Sequence, residues 1–526
     1  MYQDRLSMLL RSIQQGTRFD HPVSTFNLIE THISYILLTG PYAYKFKKPL
    51  NLGFLDFSTL EKRKFYCEEE IRLNSRLAPG IYLEVITVTG DERHPQFGGP
   101  GTILEYAVKM VQFCAADELE KVVQEGRLEP RHIDLLADSI AAFHQQIVGT
   151  DADARYGTPE IIRRYTMENF DHIRPAVTNE GEYRNRLDQL EQWTVAELDR
   201  LDAMFRERRQ QGFVRECHGD LHVGNIALHE GRPVIFDCIE FNPELHWIDT
   251  MSEIAFLIMD LDARGRGELG WRFLNSYLEH SGDYSGLVLL RFYLVYRALV
   301  RCKVACIRLH QPDLSRPGGV LELQHEHRYL DLAGSYTGPP EAQLIITHGL
   351  SGSGKTTITQ TLLEKLGAVR LRSDIERRRL FGTPESTGPG LKPGQGMYTD
   401  NGIRRTYRRL ADLTGSALAA GFPVIVDATF LHAYQRDMFR HIAARVGYRF
   451  IILDCRAPEA QLRERIKERL QRNQDASEAG LEVLDQQILS REPLSDTEQG
   501  HTLIVDNAAG TDQDAVTRIL PELAGT

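Results

Sequence analysis

Cys217-His218-Gly219-Asp220-Leu221-His222-Val223-Gly224-Asn225-Ile226, followed shortly by Ile235-Phe236-Asp237, is the stretch that decides how the first half of the chain folds. It puts an Asp and an Asn on one loop and a second Asp at the end of the next apolar run, which is the arrangement that phosphoryl transfer requires. Asp220 is predicted to accept the proton of an attacking hydroxyl. Asn225 and Asp237 are predicted to hold Mg²⁺ against the phosphates of ATP.

This stretch resembles the catalytic loop of the aminoglycoside phosphotransferase and choline kinase family, which runs His-Gly-Asp-Leu-His-x-x-Asn. The resemblance implies an α+β, protein-kinase-like, two-lobed domain, with a small lobe over about residues 20–112 and a large lobe over about residues 113–335. The sequence has no Gly-x-Gly-x-x-Gly loop for the phosphates, which relatives of this kind often lack. The turn at Thr39 and Gly40 is the expected cover of the nucleotide.

Alternating apolar residues predict the strands of the small lobe. Residues 33–38 and 43–47 flank a short turn and predict a hairpin. Residues 81–89 and 102–110 alternate in the same way and would complete the lobe. The second of these runs should lead into a hinge at about residues 110–113, where backbone groups would meet adenine.

In the kinase-like fold, a strand Lys grips the phosphates and a helix Glu steadies it. Lys45 fits the strand position best, while Lys47 on the same face and Lys48 are weaker candidates. A helix that begins near residue 58 brings Glu70 or Glu69 within reach. The choice between these two neighbouring glutamates stays open, and Lys45 with Glu70 is the predicted pair.

Acidic residues after the catalytic loop have several possible roles. Asp249 resembles the family's Asp that supports the catalytic loop, so we expect it to be structural. Glu253, Asp260 and Asp262 could meet a cationic acceptor, but a solvated helix face is the more frequent reason for such a pattern.

A second sharp motif follows the Gly- and Pro-rich residues 334–340. Residues 344–348 predict a buried strand, and Gly349-Leu350-Ser351-Gly352-Ser353-Gly354-Lys355-Thr356 is a complete Walker A loop that opens a helix. Backbone N–H groups of such a loop surround a phosphate at the positive end of the helix. The predicted nucleotide ligands are Gly349, Ser351, Gly352, Ser353, Gly354, Lys355, Thr356 and Thr357, with Thr356 and Asp427 as Mg²⁺ ligands.

The second motif indicates a kinase rather than a motor. Asp427 ends a buried strand, but Ala428 stands where a hydrolytic motor generally has a Glu that activates water. Asp374 followed by Arg377 resembles the P-loop kinases grouped with polynucleotide kinase, zeta toxin and chloramphenicol phosphotransferase. That resemblance implies an α/β domain with a mostly parallel sheet, Asp374 as the base and Arg377 as a substrate ligand. It also implies an arginine-bearing lid, which Arg465 and Arg469 on one helix face would provide.

Composition restricts the partners. The chain has 526 residues, 42% of them hydrophobic and 26% charged, and its net charge of −11 argues against nucleic acid held by bulk charge. A basic run near residues 370–379 and 404–409 suits a small hydroxyl acceptor, including one that already bears phosphate. Residues 382–396 are the expected substrate loop. Scattered cysteines and the absence of a signal peptide or long apolar run predict a cytoplasmic protein.

The whole chain resembles a known bacterial fusion of an aminoglycoside phosphotransferase-like domain with an ATP-binding P-loop domain. It shares with that fusion the segments at Tyr44 to Pro49, Gly53 to Leu60 and Asp427 to Phe430. The expected division is residues 1–335, a linker at 336–340, and residues 341–526. We expect a two-site kinase that uses ATP and Mg²⁺; the alternative is a single kinase regulated by the P-loop domain.

Overall fold

A six-stranded antiparallel sheet forms the small lobe in this computed structural model of the protein, with strand order β1-β2-β3-β6-β4-β5. The strands are β1 Asn27–Glu30, β2 Ser34–Leu38, β3 Tyr42–Lys47, β4 Tyr82–Gly90, β5 Pro95–Phe97 and β6 Ile103–Val111. β2 and β3 form the expected hairpin, in which Ile36 lies opposite Lys45. The alternation predicted from the sequence therefore places the Lys45 side chain on a defined face of the sheet.

The structure describes residues 2–17, 19–23, 25–53, 55–151, 154–177, 181–309, 319–339, 341–382, 399–472, 480–507 and 512–523. The expected substrate loop at 382–396 lies outside these ranges apart from Gly382, and so does Pro340 of the expected linker. Within these ranges, none of the helices combines the length and the apolar composition that a membrane crossing requires.

Eleven α-helices are described in the first half of the chain. They are α1 Tyr2–Gly16, α2 Leu60–Asn74, α3 Leu119–Gln124, α4 Pro130–Gln146, α5 Pro159–Ile173, α6 Glu182–Gln210, α7 Pro243–His246, α8 Thr250–Ala263, α9 Gly267–Ser281, α10 Leu287–Leu309 and α11 Gly319–Ser335. Of these, α1 and α2 pack against strands of the small-lobe sheet. Helix α2 is fixed to β6 because Arg63 donates from Nε to both carboxylate oxygens of the buried Glu105, at 2.9 and 3.0 Å. This attachment helps turn Glu70 of α2 towards β3.

Two short antiparallel ribbons enclose the predicted catalytic loop. β7 Val214–Glu216 pairs with β10 Trp247–Asp249, and β8 Ile226–His229 pairs with β9 Arg232–Ile235. The loop leaves β7 and enters β8, so each of its ends is fixed by a ribbon. Its position therefore depends on backbone pairing with residues that come later in the chain.

A five-stranded parallel sheet with order β12-β13-β11-β14-β15 forms the centre of the second half. Its strands are β11 Gln343–His348, β12 Val369–Arg372, β13 Val424–Asp427, β14 Arg449–Arg456 and β15 Thr502–Asp506. The helices are α12 Lys355–Leu366, α13 Ser373–Phe381, α14 Asp400–Ala419, α15 Ala433–Val446, α16 Glu459–Arg472, α17 Leu481–Ser490, α18 Asp496–Gln499 and α19 Asp512–Leu523. The expected parallel-sheet P-loop domain is confirmed.

The chain forms two compact units, and the second takes a segment from the middle of the sequence. The first unit comprises residues 1–260 and 296–333, and the second comprises residues 261–295 and 334–526. The sequence analysis assigned residues 261–295, which include α9, to the first domain. Their packing places them with the P-loop sheet instead, while the expected boundary at 336–340 stays a prediction.

Helix α9 is attached to the P-loop sheet by buried hydrogen bonds. Asn275 donates from Nδ2 to the carbonyl of Ala368 at 2.9 Å, and its Oδ1 accepts the N–H of Arg370 at 2.6 Å. The ring of Trp271 covers Gly367, where an added Cβ would lie 2.9 Å from the indole. β12 is at the edge of the sheet in the described part of the chain. The Asn275 amide therefore provides the hydrogen-bond partners of the Ala368 carbonyl and the Arg370 N–H.

We expect Asn275→Ala to destabilise the P-loop unit by about 2 kcal/mol, because it leaves a buried N–H and a buried C=O without partners. The thermal midpoint of the full-length protein measures this change. The exposed Asn401 at the start of α14 provides a matched control, since Asn401→Ala should change stability by less than about 0.5 kcal/mol. Equal midpoints for the two variants would show that α9 does not support the sheet.

Candidate active sites

A buried network of charges joins the small lobe to the strand after the catalytic loop. Lys45 donates from Nζ to Glu70 at 2.7 Å and to Asp237 at 2.5 Å. Lys47 donates to the other Glu70 oxygen at 2.7 Å and also to Glu240. Burial alone would raise the pKa of Glu70, but the two ammonium groups lower it to about 2. Glu70 is therefore ionised and holds the Lys45 ammonium beside Asp237.

The alternatives left open by the sequence lie elsewhere. Glu69 is partly exposed and accepts from Arg72 at 2.8 Å, while Lys48 pairs with Glu30 at 2.7 Å. Lys47 shares Glu70 with Lys45, but it is almost completely buried. The geometry thus favours Lys45 and Glu70 as the phosphate-gripping pair, and their function stays a prediction.

The catalytic loop folds so that Asn225 contacts Asp220. Asn225 donates from Nδ2 to the Asp220 carboxylate at 2.8 Å and to its carbonyl at 2.9 Å. A short 3₁₀ turn over Val223–Asn225 makes this contact possible, and His222 caps the turn by accepting the N–H of Gly224 at 3.0 Å. Because the Asn225 amide nitrogen faces Asp220, its amide oxygen is available as a hard ligand of the kind that Mg²⁺ prefers.

Asp237 lies next to this loop in a strained backbone conformation. The N–H of Phe236 donates to the carbonyl of Asn225 at 3.0 Å, which brings the predicted metal ligands close together. Asp237 has a φ of 64°, rare for a residue with a side chain, and its N–H donates to the Tyr82 hydroxyl at 3.1 Å. Its carboxylate is half exposed, so its oxygen atoms can be reached by an ion.

The electrostatic environment keeps Asp220 anionic. Burial by itself would raise the pKa of Asp220, but His222, Arg301 and His218 favour the charged form and hold the pKa well below its usual range. Burial lowers the pKa of His218 to about 4, so that imidazole is neutral. Its Nδ1 accepts the N–H of Asp220 at 3.2 Å. Asp220 can therefore accept a hydrogen bond from a hydroxyl group at neutral pH.

Glu253 and Asp260 support the catalytic loop from α8, which the sequence analysis did not foresee. The Glu253 carboxylate accepts the N–H groups of His218 at 2.6 Å and Gly219 at 3.0 Å. Asp260 accepts the N–H of Val223 at 3.0 Å. Both carboxyl groups are buried, so the expectation of a solvated face is wrong for them.

Asp249 does not contact the catalytic loop through its side chain. It forms a buried bidentate pair with Arg208 of α6, at 2.7 and 2.8 Å, and accepts the N–H of Met251 at 2.8 Å. Asp262, the third acidic candidate, accepts from the hydroxyl of Tyr336 at 2.7 Å. Because the Asp249 carboxylate is paired with Arg208 of α6, its expected support of the catalytic loop is indirect. It runs through the backbone of β10, which pairs with β7 before the loop.

In the second unit, three glycines give the Walker A loop its shape. Gly349, Gly352 and Gly354 have φ values of 145°, 84° and 86°, which disfavour other residues. A Cβ on Gly349 would lie 2.5 Å from the carbonyl oxygen of Cys455, and one on Gly354 would lie 2.4 Å from the amide of Asn507. Only glycine lets the loop curl this closely, which is the shape that surrounds a phosphate.

The polar residues of the loop are arranged for nucleotide binding. Thr356 donates from its hydroxyl to Asp427 at 2.8 Å, a contact that the parallel neighbours β11 and β13 make possible. The Lys355 ammonium donates to the carbonyls of Gly349 at 3.1 Å and Leu350 at 2.8 Å. Burial lowers its pKa. Hydroxyl and carboxylate oxygens are ligands that fit Mg²⁺, and the contact of Lys355 with phosphate stays a prediction.

A cavity of about 620 Å³ opens in front of this loop. Its walls include all the second-site residues predicted from the sequence except Gly349 and Ser353; those on the walls are Ser351, Gly352, Gly354, Lys355, Thr356, Thr357, Asp374, Arg377, Asp427, Arg465 and Arg469. Arg377 donates to Asp374 at 2.8 Å, and Arg465 of α16 donates to the loop carbonyl of Gly352 at 3.4 Å. The predicted base Asp374, the predicted lid arginines and the Walker A loop thus line the same cavity.

Much of the basic run has acidic partners, which the sequence analysis did not anticipate. Glu279 of α9 accepts from Arg370 at 2.8 Å and from Arg372 at 3.2 Å, and Arg370 also reaches the Thr356 carbonyl at 3.4 Å. Arg379 pairs with Glu376. These arginines are therefore not free charges for a phosphorylated acceptor. No local signal could have revealed Glu279, because it lies about ninety residues before its partners.

Comparison with known proteins gives the same two-part organisation. Residues 67–289 match the family model described as "Phosphotransferase enzyme family", and residues 344–494 match the model described as "AAA domain". Protein Rv2004c of Mycobacterium tuberculosis is 30% identical over 468 residues, which cover 88% of this chain and 90% of that protein. The expected fusion of two kinase-type domains is confirmed, and the chain is an ATP-dependent phosphotransferase.

Two solved structures are similar to parts of this chain. A choline/ethanolamine kinase family protein from Mesorhizobium loti is 10% identical, covers 64% of this chain and 99% of its own, and has a TM-score of 0.37. A gluconokinase from Sinorhizobium meliloti is 21% identical, covers 36% of this chain and 94% of its own, and has a TM-score of 0.27.

Glu253 should make the stability of the protein depend on pH. Burial raises its pKa to about 7, whereas an unfolded Glu titrates near about 4.3. Between these values the folded state binds more protons, so the free energy of unfolding should fall as the pH rises, by roughly 1 kcal/mol per pH unit. Thermal midpoints at about pH 5 and pH 8 measure this fall. It should shrink in Glu253→Gln and persist in the exposed control Glu68→Gln.

Asp427 should make nucleotide binding at the Walker A loop depend on Mg²⁺. In Asp427→Asn we expect ADP to bind about ten-fold more weakly with Mg²⁺ and with unchanged affinity in EDTA, because only the ionised carboxylate attracts the metal. Calorimetric titration in a Lys45→Met background isolates this site. The exposed Asp437 provides the control Asp437→Asn, which should behave like the parent. A parent affinity unaffected by EDTA would contradict this role of Asp427.

Proposed function

We propose that this chain, which belongs to the family of the mycobacterial protein Rv2004c, is a two-site phosphotransferase that moves the γ-phosphate of ATP to hydroxyl groups of small molecules. One observation carries the proposal: each unit has a carboxylate suited to receive a hydroxyl proton beside a separate set of phosphate-binding residues. These carboxylates are Asp220 in the first unit and Asp374 in the second.

At the first site, Asp220 would hold the acceptor by accepting its hydroxyl hydrogen. As that proton moves to the Asp220 carboxylate, the acceptor oxygen forms a bond with the γ-phosphorus. The bond between this phosphorus and the β–γ bridging oxygen breaks, and ADP leaves with that oxygen. Lys45, oriented by Glu70, supports the negative charge of the phosphates during the transfer.

At the second site, Asp374 would take the corresponding proton, and Arg377 donates to its carboxylate at 2.8 Å on the wall of the cavity. Lys355, Arg465 and Arg469 would stabilise the charge on the transferring phosphoryl group. Bound Mg²⁺ would neutralise phosphate charge at each site, held by Asn225 with Asp237 and by Thr356 with Asp427.

A second candidate function makes the P-loop unit a regulator of the first. It is favoured by residues 261–289, which match the phosphotransferase family model but pack with the P-loop sheet. Nucleotide binding near Thr356 could therefore act on α9 through Arg370 and Glu279. Against this reading, a regulator needs the phosphate loop but does not need Asp374 and Arg377 in the cavity. We keep the two-site reading as the proposal.

Single-residue variants distinguish the two functions. Full-length protein is incubated with Mg²⁺, γ-labelled ATP and a small-molecule cell extract, and labelled products are separated. We expect Asp220→Ala and Asp374→Ala to lower the formation of different products, or of successive ones, by about 100-fold or more, because each removes a general base. The exposed control Asp437→Ala should retain both products.

Other outcomes decide against the proposal. If Asp374→Ala has no effect while Lys355→Ala changes only the rate of the Asp220-dependent product, the P-loop unit is a regulator. If neither Asp220→Ala nor Asp374→Ala lowers any product, neither carboxylate is a base.

A further inference from the structure

Arg301 of α10 lies beside the first site, and the sequence motifs give no function to it. Its NH1 lies 3.3 Å from Nε2 of His222, and the same Nε2 lies 3.3 Å from the Asp220 carboxylate. Arg301 and the predicted base Asp220 therefore both lie close to the same ring nitrogen of His222. Its charge also contributes to the low pKa of Asp220.

The contact with His222 does not satisfy this guanidinium group. Nδ1 of His222 accepts the N–H of Gly224 at 3.0 Å, so in the neutral ring the hydrogen is on Nε2. With the hydrogen on Nε2, this atom lies 3.3 Å from the Asp220 carboxylate and cannot accept from Arg301. In that tautomer the contact with His222 supplies no acceptor to Arg301.

Within the described residues, Arg301 also has Tyr329, with which its side chain forms a hydrogen bond, and Asp260 as neighbours. Its Nε is buried without a hydrogen-bond partner, and its guanidinium carbon lies 5.8 Å from the ring centre of Tyr329. Asp260, the nearby carboxylate, accepts from Val223 at 3.0 Å and from the Tyr329 hydroxyl at 3.3 Å. Arg301 is thus a charged group beside the base whose charge interacts with Asp260 and Asp220, and whose buried Nε has no hydrogen-bond partner among the described residues.

The acidic side chains that could have bound a cation are occupied. Glu253 and Asp260 accept backbone N–H groups of the catalytic loop, and Asp262 accepts from Tyr336. Arg301 brings a positive charge close to Asp220. A planar guanidinium group recognises carboxylate and phosphate oxygens through parallel hydrogen bonds.

We propose that the acceptor of the first site is an oxyanion-bearing alcohol, with a carboxylate or phosphate close to the reacting hydroxyl, and that Arg301 binds this oxyanion. The inference rests on the proposed phosphotransferase function and specifies its substrate class. An acceptor held at the oxyanion by Arg301 and at the hydroxyl by Asp220 is fixed at two points. It also supplies an acceptor atom for the Arg301 Nε, which has no partner among the described residues.

The test separates the acceptors by charge before the reaction. A small-molecule cell extract is passed over a strong anion exchanger, and the unretained and retained fractions are each incubated with full-length protein, Mg²⁺ and γ-labelled ATP. We expect the Asp220-dependent product to form only from the retained fraction. Prior treatment of that fraction with a phosphatase, removed before the assay, abolishes the product if the oxyanion is a phosphate monoester and spares it if the oxyanion is a carboxylate.

Variants then connect the charge requirement to Arg301. Arg301→Gln should raise KM for the retained acceptor by about 10- to 100-fold with a smaller change in kcat, and Arg301→Lys should restore part of the affinity. The exposed Arg131 gives the control Arg131→Gln, which should match wild type. Circular dichroism and thermal midpoints establish that each variant is folded.

A binding measurement gives a readout besides turnover. With the nucleotide sites saturated by Mg²⁺ and a non-hydrolysable ATP analogue, inorganic phosphate should bind wild type and Arg131→Gln, and bind Arg301→Gln about ten-fold more weakly. An Asp220-dependent product from the unretained fraction, or an unchanged KM and phosphate affinity in Arg301→Gln, would overturn the inference and leave the phosphotransferase function intact. If Asp220→Ala instead forms every product that the wild type forms, the proposed function is refuted, and the inference with it.

Discussion

The burial of Glu70 is the constraint on which the first unit depends. A carboxylate removed from water must be paired, and Glu70 is paired twice, with Lys45 and Lys47 of one strand face. The same lysines reach Asp237 and Glu240, which follow the catalytic loop in sequence. Sheet, helix α2 and the predicted metal ligand are thus tied by one network, and loss of any member would leave a buried charge without its partner.

The predicted phosphate sites of the two units are built in different ways. The first uses side-chain charges brought together from strand, helix and loop, so its site exists only when these elements are packed. The second uses a continuous loop in which Gly349, Gly352 and Gly354 allow backbone N–H groups to converge. This difference explains why Lys355 is already in place through loop carbonyls, whereas Lys45 needs Glu70 to orient it.

Segment 261–295 shows that sequence families and packing can divide a chain differently. The phosphotransferase family model extends to residue 289, yet α9 satisfies backbone groups of β12 through Asn275 and neutralises Arg370 and Arg372 through Glu279. The P-loop unit therefore contains part of the sequence that resembles its neighbour.

The sequence by itself determined the fold of each half and the two local motifs, because the backbone geometry of a catalytic loop or a Walker A loop is encoded by adjacent residues such as Gly219 to Asn225. It also determined the hairpin that carries Lys45, through period-two alternation. Tertiary structure alone decided that Glu70 rather than Glu69 meets Lys45, that Glu253 rather than Asp249 supports the catalytic loop, and that Arg301 and Glu279 lie where they do. These pairings join residues far apart in sequence. They depend on which face of a helix is buried, and neighbouring residues such as Glu69 and Glu70 lie on different faces of their helix.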